Sequence, residues 1–427
     1  MIANLPPCGG DVRQDRGGNV ERRLRQITKD KADMVTNGNG LENKATNGNG
    51  AAKSNSNDAV RKPVNVALQG GGSHGAFTWG VLDRLLEDGR IEIAAVSGTS
   101  AGAMNAVALA DGWARGGAED AREQLSEFWK AVARKGRFSP VQRTPWDMLL
   151  GNWSVENSPG YLWFDAVSRV FSPYAANPFN FNPLREVVER EIRFANLRSG
   201  GSMKLFISAT NVETGRLRVF ENHELDVDVV MASACLPHYF QAVEIDGVPY
   251  WDGGYGGNPA IYPLFYANAV EDILLVQVNP VVREGTPHSV VEIQNRIDEI
   301  TFNATLLSEF RAISFVKELI AGAKISHAEF RDIRMHRIDA DAAFKDLSAS
   351  SKINAEWAFL EYLRDLGRTA ADDWLEENFD AVGKKSTLDV SEELQRKPVR
   401  GAPSHMGSRV RQFLATRSKP AGAVRRG

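Results

Sequence analysis

The stretch Ile91-Glu-Ile-Ala-Ala-Val-Ser-Gly98-Thr99-Ser100-Ala101-Gly102 decides how the chain is read. Ile91 to Val96 is a short apolar run suited to a buried strand, and Ala101 to Ala110 reads as a helix of small residues. Between them Gly98-Thr99-Ser100-Ala101-Gly102 fits G-x-S-x-G at a strand-to-helix turn. Small residues two before and two after the serine permit a bend sharp enough to present Oγ outward. The helix N-terminus beneath it favours developing negative charge. Ser100 is therefore the candidate nucleophile, and the competing reading is a serine that only caps a helix.

One strand–helix unit precedes this elbow. Val64 to Leu68 is β-favouring, and Phe77, Val81, Leu82, Leu85 and Leu86 follow at helical spacing up to Asp88-Gly89. The connecting loop is Gly70-Gly71-Gly72-Ser73-His74-Gly75, whose backbone N–H groups can point at an anion. These six residues are the candidate oxyanion hole, with Gly71 and Gly72 the favoured donors. The same loop satisfies the dinucleotide fingerprint G-x-G-x-x-G. That fingerprint expects an acidic residue closing the second strand, whereas here the second strand ends in the serine elbow. α/β-Hydrolases place their glycine-rich loop well upstream and complete a triad with a late histidine, so the compact spacing points to another architecture.

The third element, Trp251-Asp252-Gly253-Gly254-Tyr255, follows a β-favouring run. A carboxylate at a strand end, followed by glycines that admit close backbone approach, can take a proton from the serine. Alone, Asp252 reads as an ordinary Asp-Gly turn residue. Hairpin signals at Glu213-Thr214-Gly215 and Asp246-Gly247 and a core strand at Ile273 to Val278 complete the sheet pattern. A further strand falls within Arg331 to Ile338, and residues 354–380 read as helical. Strand and helix alternation of this kind predicts a mostly parallel sheet covered on both faces.

Taken together and in order, the three motifs resemble those of the patatin-like phospholipases. The glycine-rich loop matches Gly70 to Gly75, the elbow Gly98 to Gly102, and the Asp-Gly-Gly element Asp252 to Gly254. The likeness runs from about Val64 to Val278 and includes Ala209-Thr-Asn-Val-Glu-Thr-Gly and Ala232-Ser-Ala-Cys-Leu-Pro. The resemblance implies a three-layer α/β/α domain and a Ser100–Asp252 dyad without histidine. It also implies hydrolysis of lipid acyl esters, phospholipids included, through an acyl-enzyme and without a cofactor. Many members carry Arg or Lys where this chain has His74, which with an ordinary pKa of about 6.5 would be partly charged at neutral pH. His74 is read as a hydrogen-bonding loop residue, and His238 and His336 as structural. Non-phospholipid esters, including an intracellular polyester, share the same chemistry, and a silent lipid-binding module shares the same fold.

Composition bounds the remainder. A formal charge of −3, from 51 basic and 54 acidic residues, supplies no global field for nucleic acid. Two cysteines, Cys8 and Cys235, exclude a disulfide framework. No side-chain cluster has metal-ligand spacing, so no metal is expected. No run approaches the ~20 apolar residues of a membrane span. These features predict a cytoplasmic protein with at most peripheral membrane contact, and they leave its oligomeric state open.

Residues 1–62, with the repeated Thr-Asn-Gly-Asn-Gly at Thr36 and Thr46, read as a disordered leader. The acyl hydrolase domain is assigned to 63–385, with a helical part over about 290–383 that includes apolar positions from Ile293 to Ile320 at helical spacing. A flexible basic tail is assigned to 386–427, because Arg396 to Gly427 holds nine Lys or Arg and no acid. An insertion over about 138–182 interrupts the sheet pattern. Ten of the 44 residues from Phe138 to Phe181 are aromatic, which suits either an apolar cap over an acyl pocket or a subsidiary core.

Overall fold

The computed structural model describes residues 61–199, 203–288, 290–322, 330–345 and 347–396. The leader assigned to 1–62, apart from its last two residues, and the tail beyond 396 lie outside the described residues. An eight-stranded sheet forms the centre, with strand order β5-β6-β3-β2-β1-β7-β8 and β4 set against β3. The strands are β1 (Lys62–Leu68), β2 (Ile91–Gly98), β3 (Lys204–Asn211), β4 (Leu217–Glu221), β5 (Val243–Ile245), β6 (Val248–Asp252), β7 (Asp272–Val276) and β8 (Arg334–Ile338). Pairing is parallel from β3 through β2, β1 and β7 to β8, and antiparallel in the two hairpins that flank β3.

Alternation along the central strands builds two cores. Val64, Val66 and Leu68 of β1 and Leu274 and Val276 of β7 face one layer. That layer is built mainly from helices α1 (Gly75–Asp88), α2 (Ala101–Gly116) and α3 (Ala118–Gly136), together with α6 (Trp357–Asn378). Ala67, Ile273 and Leu275 face the opposite layer, where Leu306, Phe310 and Ile313 of α5 (Val290–Ala321) pack. The result is the expected α/β/α arrangement, because strands buried on both faces need helices on both faces.

Three expectations are refined. The tail boundary at 385 falls too early: Leu388 and Val390 are buried in the second core, and residues 390–395 form a short helix. The strand expected within 331–338 is β8, so the part over 290–383 is helical only on either side of it. The apolar stripe of α5 is only half buried, because Ile293, Ile297 and Ile300 remain exposed at its N-terminal half.

The insertion forms short helices at Pro145–Leu149, Pro159–Val170 and Pro173–Ala176. Trp146 and Trp163 are 66% and 67% exposed, and Phe138, Phe179 and Phe181 are exposed as well. Tyr161 and Val155 are buried, yet most of the large apolar side chains face outward, so a subsidiary core accounts for only a minority of them. The segment touches the chain beside β6: Phe164 stacks on Tyr239 with ring centroids 5.0 Å apart, and the Ala242 amide donates to the Tyr174 hydroxyl.

Candidate active site

Ser100 stands between β2 and α2 with φ 55° and ψ −121°. A non-glycine residue in this region is strained, and the strain is the signature of the elbow that the sequence pattern predicts. Its amide donates to Ser233 Oγ at 2.9 Å, from the end of α4 (Val227–Ser233). Thr99 is fully buried, and its Oγ1 lies 2.6 Å from Ser208 Oγ on β3 and donates to Gly257 O at 2.8 Å. Close packing is enforced by small residues: a Cβ on Gly98 would come within 2.6 Å of Gly102 O, and one on Gly75 within 2.7 Å of Ala101 Cβ.

Sheet register explains why Asp252 reaches the elbow. Ala209 and Thr210 of β3 pair with both β4 and β6, so those two strands occupy opposite edges of β3. Phe206 and Ile207 pair with both β4 and β2, so β2 shares the edge used by β6. β2 ends at Gly98, opposite Ile207, while β6 arrives antiparallel and ends at Asp252, opposite Ala209. The two strands therefore meet end to end along one edge, β6 finishing in Asp252 and β2 two residues short of Ser100.

Asp252 is 2% exposed. Its Oδ1 accepts from the Gly254 amide at 2.7 Å, while its own N–H and C=O are held by Cys235 O and Thr210 Oγ1. Burial pushes the carboxyl up to about 7, opposed by the hydrogen bonds from Gly254 and from the Ser100 side chain. Gly253 has no room for a side chain against the Ser208 backbone, and Gly254 none against the Phe302 ring. Cys235, just beyond α4, has its thiol pushed up to about 12 by burial and by Asp252.

The glycine loop approaches the elbow directly, since a Cβ on Gly70 would stand 2.8 Å from both Ser100 Cβ and Thr99 O. Its amides are not equivalent. Gly70 N donates to Asn258 Oδ1 at 2.7 Å, His74 N to Gly71 O, and Gly75 N to Gly72 O. These three residues of the expected oxyanion hole are thereby spent as donors, whereas the amides of Gly71, Gly72 and Ser73 have no acceptor among the described residues. Gly72 adopts φ 59°, which suits glycine.

His74 is buried, and the expected partial charge is corrected. Burial, followed by Lys352 and Arg283, lowers its pKa well below the ordinary value, so the ring is neutral at pH 7. The Ser351 hydroxyl donates to Ser348 O at 2.6 Å, so Ser351 Oγ accepts from His74 Nε2 at 2.8 Å. His336 lies fully buried on β8 between Asp272 Oδ1 and Thr387 Oγ1, each 3.0 Å away, and His238 is exposed. The residues missed by sequence reasoning are Asn258, Asn279 and Lys352. The two asparagines sit just after loops or strand ends that already carried signals, while Lys352 belongs to a remote segment with none.

Residues 66–265, which contain all three motifs, match the family model described as patatin-like phospholipase. That match supports a lipid acyl hydrolase in general. No curated protein sequence matches the chain. Solved structures similar to it include VipD from Legionella pneumophila, at 15% identity over 71% of this chain and 67% of that one, with a TM-score of 0.31. The type III effector protein ExoU is similar at 13% identity over 75% of this chain and 54% of that one, with a TM-score of 0.29. A chain from full-length SpcU in complex with full-length ExoU, from the type III secretion system of Pseudomonas aeruginosa, gives 13%, 73% and 53%, with a TM-score of 0.25. This chain spans about half the length of the last two. Likenesses this loose carry no argument about site or activity.

Proposed function

We propose that the patatin-like domain of this chain hydrolyses lipid acyl esters with Ser100 as nucleophile and Asp252 as general base. The observation that carries the reading is the end-to-end meeting of β2 and β6, which sets a strained serine beside a buried carboxylate whose pKa lies near neutrality. A base poised near the working pH combines a large deprotonated fraction with a strong pull on the serine proton.

In this reaction the Ser100 hydroxyl proton passes to Asp252 as Oγ attacks the ester carbonyl carbon. Negative charge gathers on the carbonyl oxygen, where the free amides of Gly71 and Gly72 donate. Collapse breaks the bond to the alcohol, which leaves with the proton from Asp252, and Ser100 retains the acyl group. Water then loses a proton to Asp252 and attacks the acyl-enzyme, releasing the carboxylic acid and returning the proton to Ser100.

Exposed Trp146, Trp163 and Phe179 on the insertion, and Ile293 and Ile297 on α5, give the surface the aromatic and apolar character suited to a lipid interface. Peripheral membrane contact through this surface belongs to the same proposal. Among the described residues no helix is long and apolar enough to cross a membrane.

The test is covalent labelling by a fluorophosphonate together with hydrolysis of a panel of phospholipids, neutral glycerides and polyesters. Labelling and turnover that both vanish in Ser100→Ala support the reading. A folded wild-type protein that neither labels nor turns over any ester would leave a lipid-binding module. Activity confined to polyesters would overturn the lipid assignment and keep the chemistry.

A further inference from the structure

The free amide of Gly71 belongs to a peptide group whose other end is anchored. Gly70 O accepts from Asn279 Nδ2 at 2.7 Å, and Asn279 Oδ1 accepts from Lys352 Nζ at 2.8 Å. The orientation of the Asn279 amide follows from its neighbours: an ammonium only donates and a carbonyl only accepts, so oxygen must face Lys352 and nitrogen must face Gly70. Asn279 is 1% exposed, and its backbone amide is held by Gln69 Oε1 at 2.9 Å, so the side chain is fixed at both ends.

A planar trans peptide points its C=O and N–H in opposite directions. Holding Gly70 O therefore sets the direction of the Gly71 N–H. The chain of donors also carries polarity. An ammonium bonded to the Asn279 oxygen draws electron density from that amide, strengthens its N–H as a donor to Gly70 O, and through peptide resonance makes the Gly71 N–H a better donor.

The charge that drives this chain is not cancelled at contact distance. Lys352 makes no ion pair among the described residues. Burial lowers the Lys352 pKa, and Glu299, the acid that opposes this most, is already bonded to Arg283 at 2.9 Å and Arg296 at 3.1 Å. Lys352 also lies against the loop itself, since a Cβ on Gly72 would overlap the Lys352 carbonyl.

We infer that Lys352 is a positioning residue that acts through Asn279 to aim and polarise the Gly71 N–H toward the substrate carbonyl oxygen. The inference rests on the reading of Ser100 as nucleophile and Gly71 as oxyanion donor. It assigns a part in the reaction to a segment outside residues 66–265, supplied by the last third of the chain.

The test compares Lys352→Met with Lys352→Arg on a soluble short-chain ester, using fluorophosphonate labelling as a second readout and thermal melting as the control for folding. The expected result for the Met variant is a fall in kcat and labelling rate of roughly 10- to 100-fold with KM little changed. That is less than the roughly 10²–10³-fold cost of deleting an oxyanion donor. The Arg variant should recover most of this loss, because it restores a charged donor. Lys352→Leu, which like Met has no donor for Asn279, serves in place of the Met variant should that protein fail to fold, and is expected to lose rate as the Met variant does. A folded Met or Leu variant with wild-type kcat would overturn the relay, as would equal losses in the neutral and Arg variants. A wild-type protein that neither labels nor hydrolyses would instead overturn the reading of Ser100 on which the relay stands.

Discussion

Gly70 lies so close to Ser100 that a methyl group at its Cα would stand 2.8 Å from the serine Cβ. The same methyl would also meet the backbone oxygen of Thr99, which cannot rotate away. Gly70→Ala is therefore expected to displace the loop from the elbow. Overpacking of this kind costs about 1–3 kcal/mol, and the free Gly71 amide would move with it. Turnover and fluorophosphonate labelling should both fall while circular dichroism reports an intact fold. Wild-type labelling in Gly70→Ala would show that the loop plays no part at the serine.

Asp252→Asn keeps the shape of the side chain and removes the proton acceptor. Loss of general-base assistance is typically worth 10²–10⁴-fold in rate, and kcat should fall by about that factor with the fold retained. An Asp252→Asn enzyme close to full activity would exclude Asp252 as the base.

The pH dependence of activity and stability should run in opposite directions. With Asp252 as the proposed base, kcat/KM should rise with pH through a limb near 7. Because the folded-state pKa is raised, the stability contributed by this group is fully present below about 3.8 and is lost as pH rises through about 7. Asp252→Asn should remove that loss, which is on the order of 4 kcal/mol for a buried group shifted this far. Melting curves between pH 4 and 8 would measure it.

Glu309 provides the control for that limb. Burial pushes its carboxyl up to about 7 as well, opposed by hydrogen bonds from the Ile261 and Tyr262 amides. Glu309→Gln should leave the activity limb near 7 in place, because Glu309 is assigned no proton transfer. Disappearance of the limb in this variant would move the titrating base from Asp252 to Glu309.

His336 should matter for stability and not for proton transfer. Its partner Asp272 is buried, which raises the carboxyl pKa, but His336 and Arg334 outweigh this and hold it below the usual carboxylate range. With a depressed folded pKa, that contribution to stability is present above about 3.8 and is lost as pH falls further. His336→Gln should lower the melting temperature at neutral pH, yet kcat of the folded protein should stay within a few-fold of wild type. His238→Gln, at an exposed position, should change neither. Abolished turnover in either folded variant would restore a histidine to the mechanism.

Backbone punctuation made the two halves of the site legible in the sequence. Glycines that admit a sharp elbow or an open loop must appear as glycines wherever they are used, so Gly70 to Gly75 and Gly98 to Gly102 could be found without coordinates, whereas Asp252 to Gly254, alone an ordinary turn, stood out only through the resemblance in motif order. Periodicity likewise pointed to a mostly parallel sheet covered on both faces, since buried strands and amphipathic helices carry their environment in residue spacing. Four decisions belonged to the tertiary structure. Which loop amides remain free depends on Asn258, nearly two hundred residues from Gly70, and on turn bonds that spend Gly75 and His74. Whether His74 is charged depends on burial beside Phe344 and Phe359, which no local pattern reports. The meeting of Ser100 with Asp252, and the reach of Lys352 through Asn279 to Gly70, follow from strand register and long-range packing. A single chain records spacing along itself, whereas contact across a sheet is fixed only when the strands have paired.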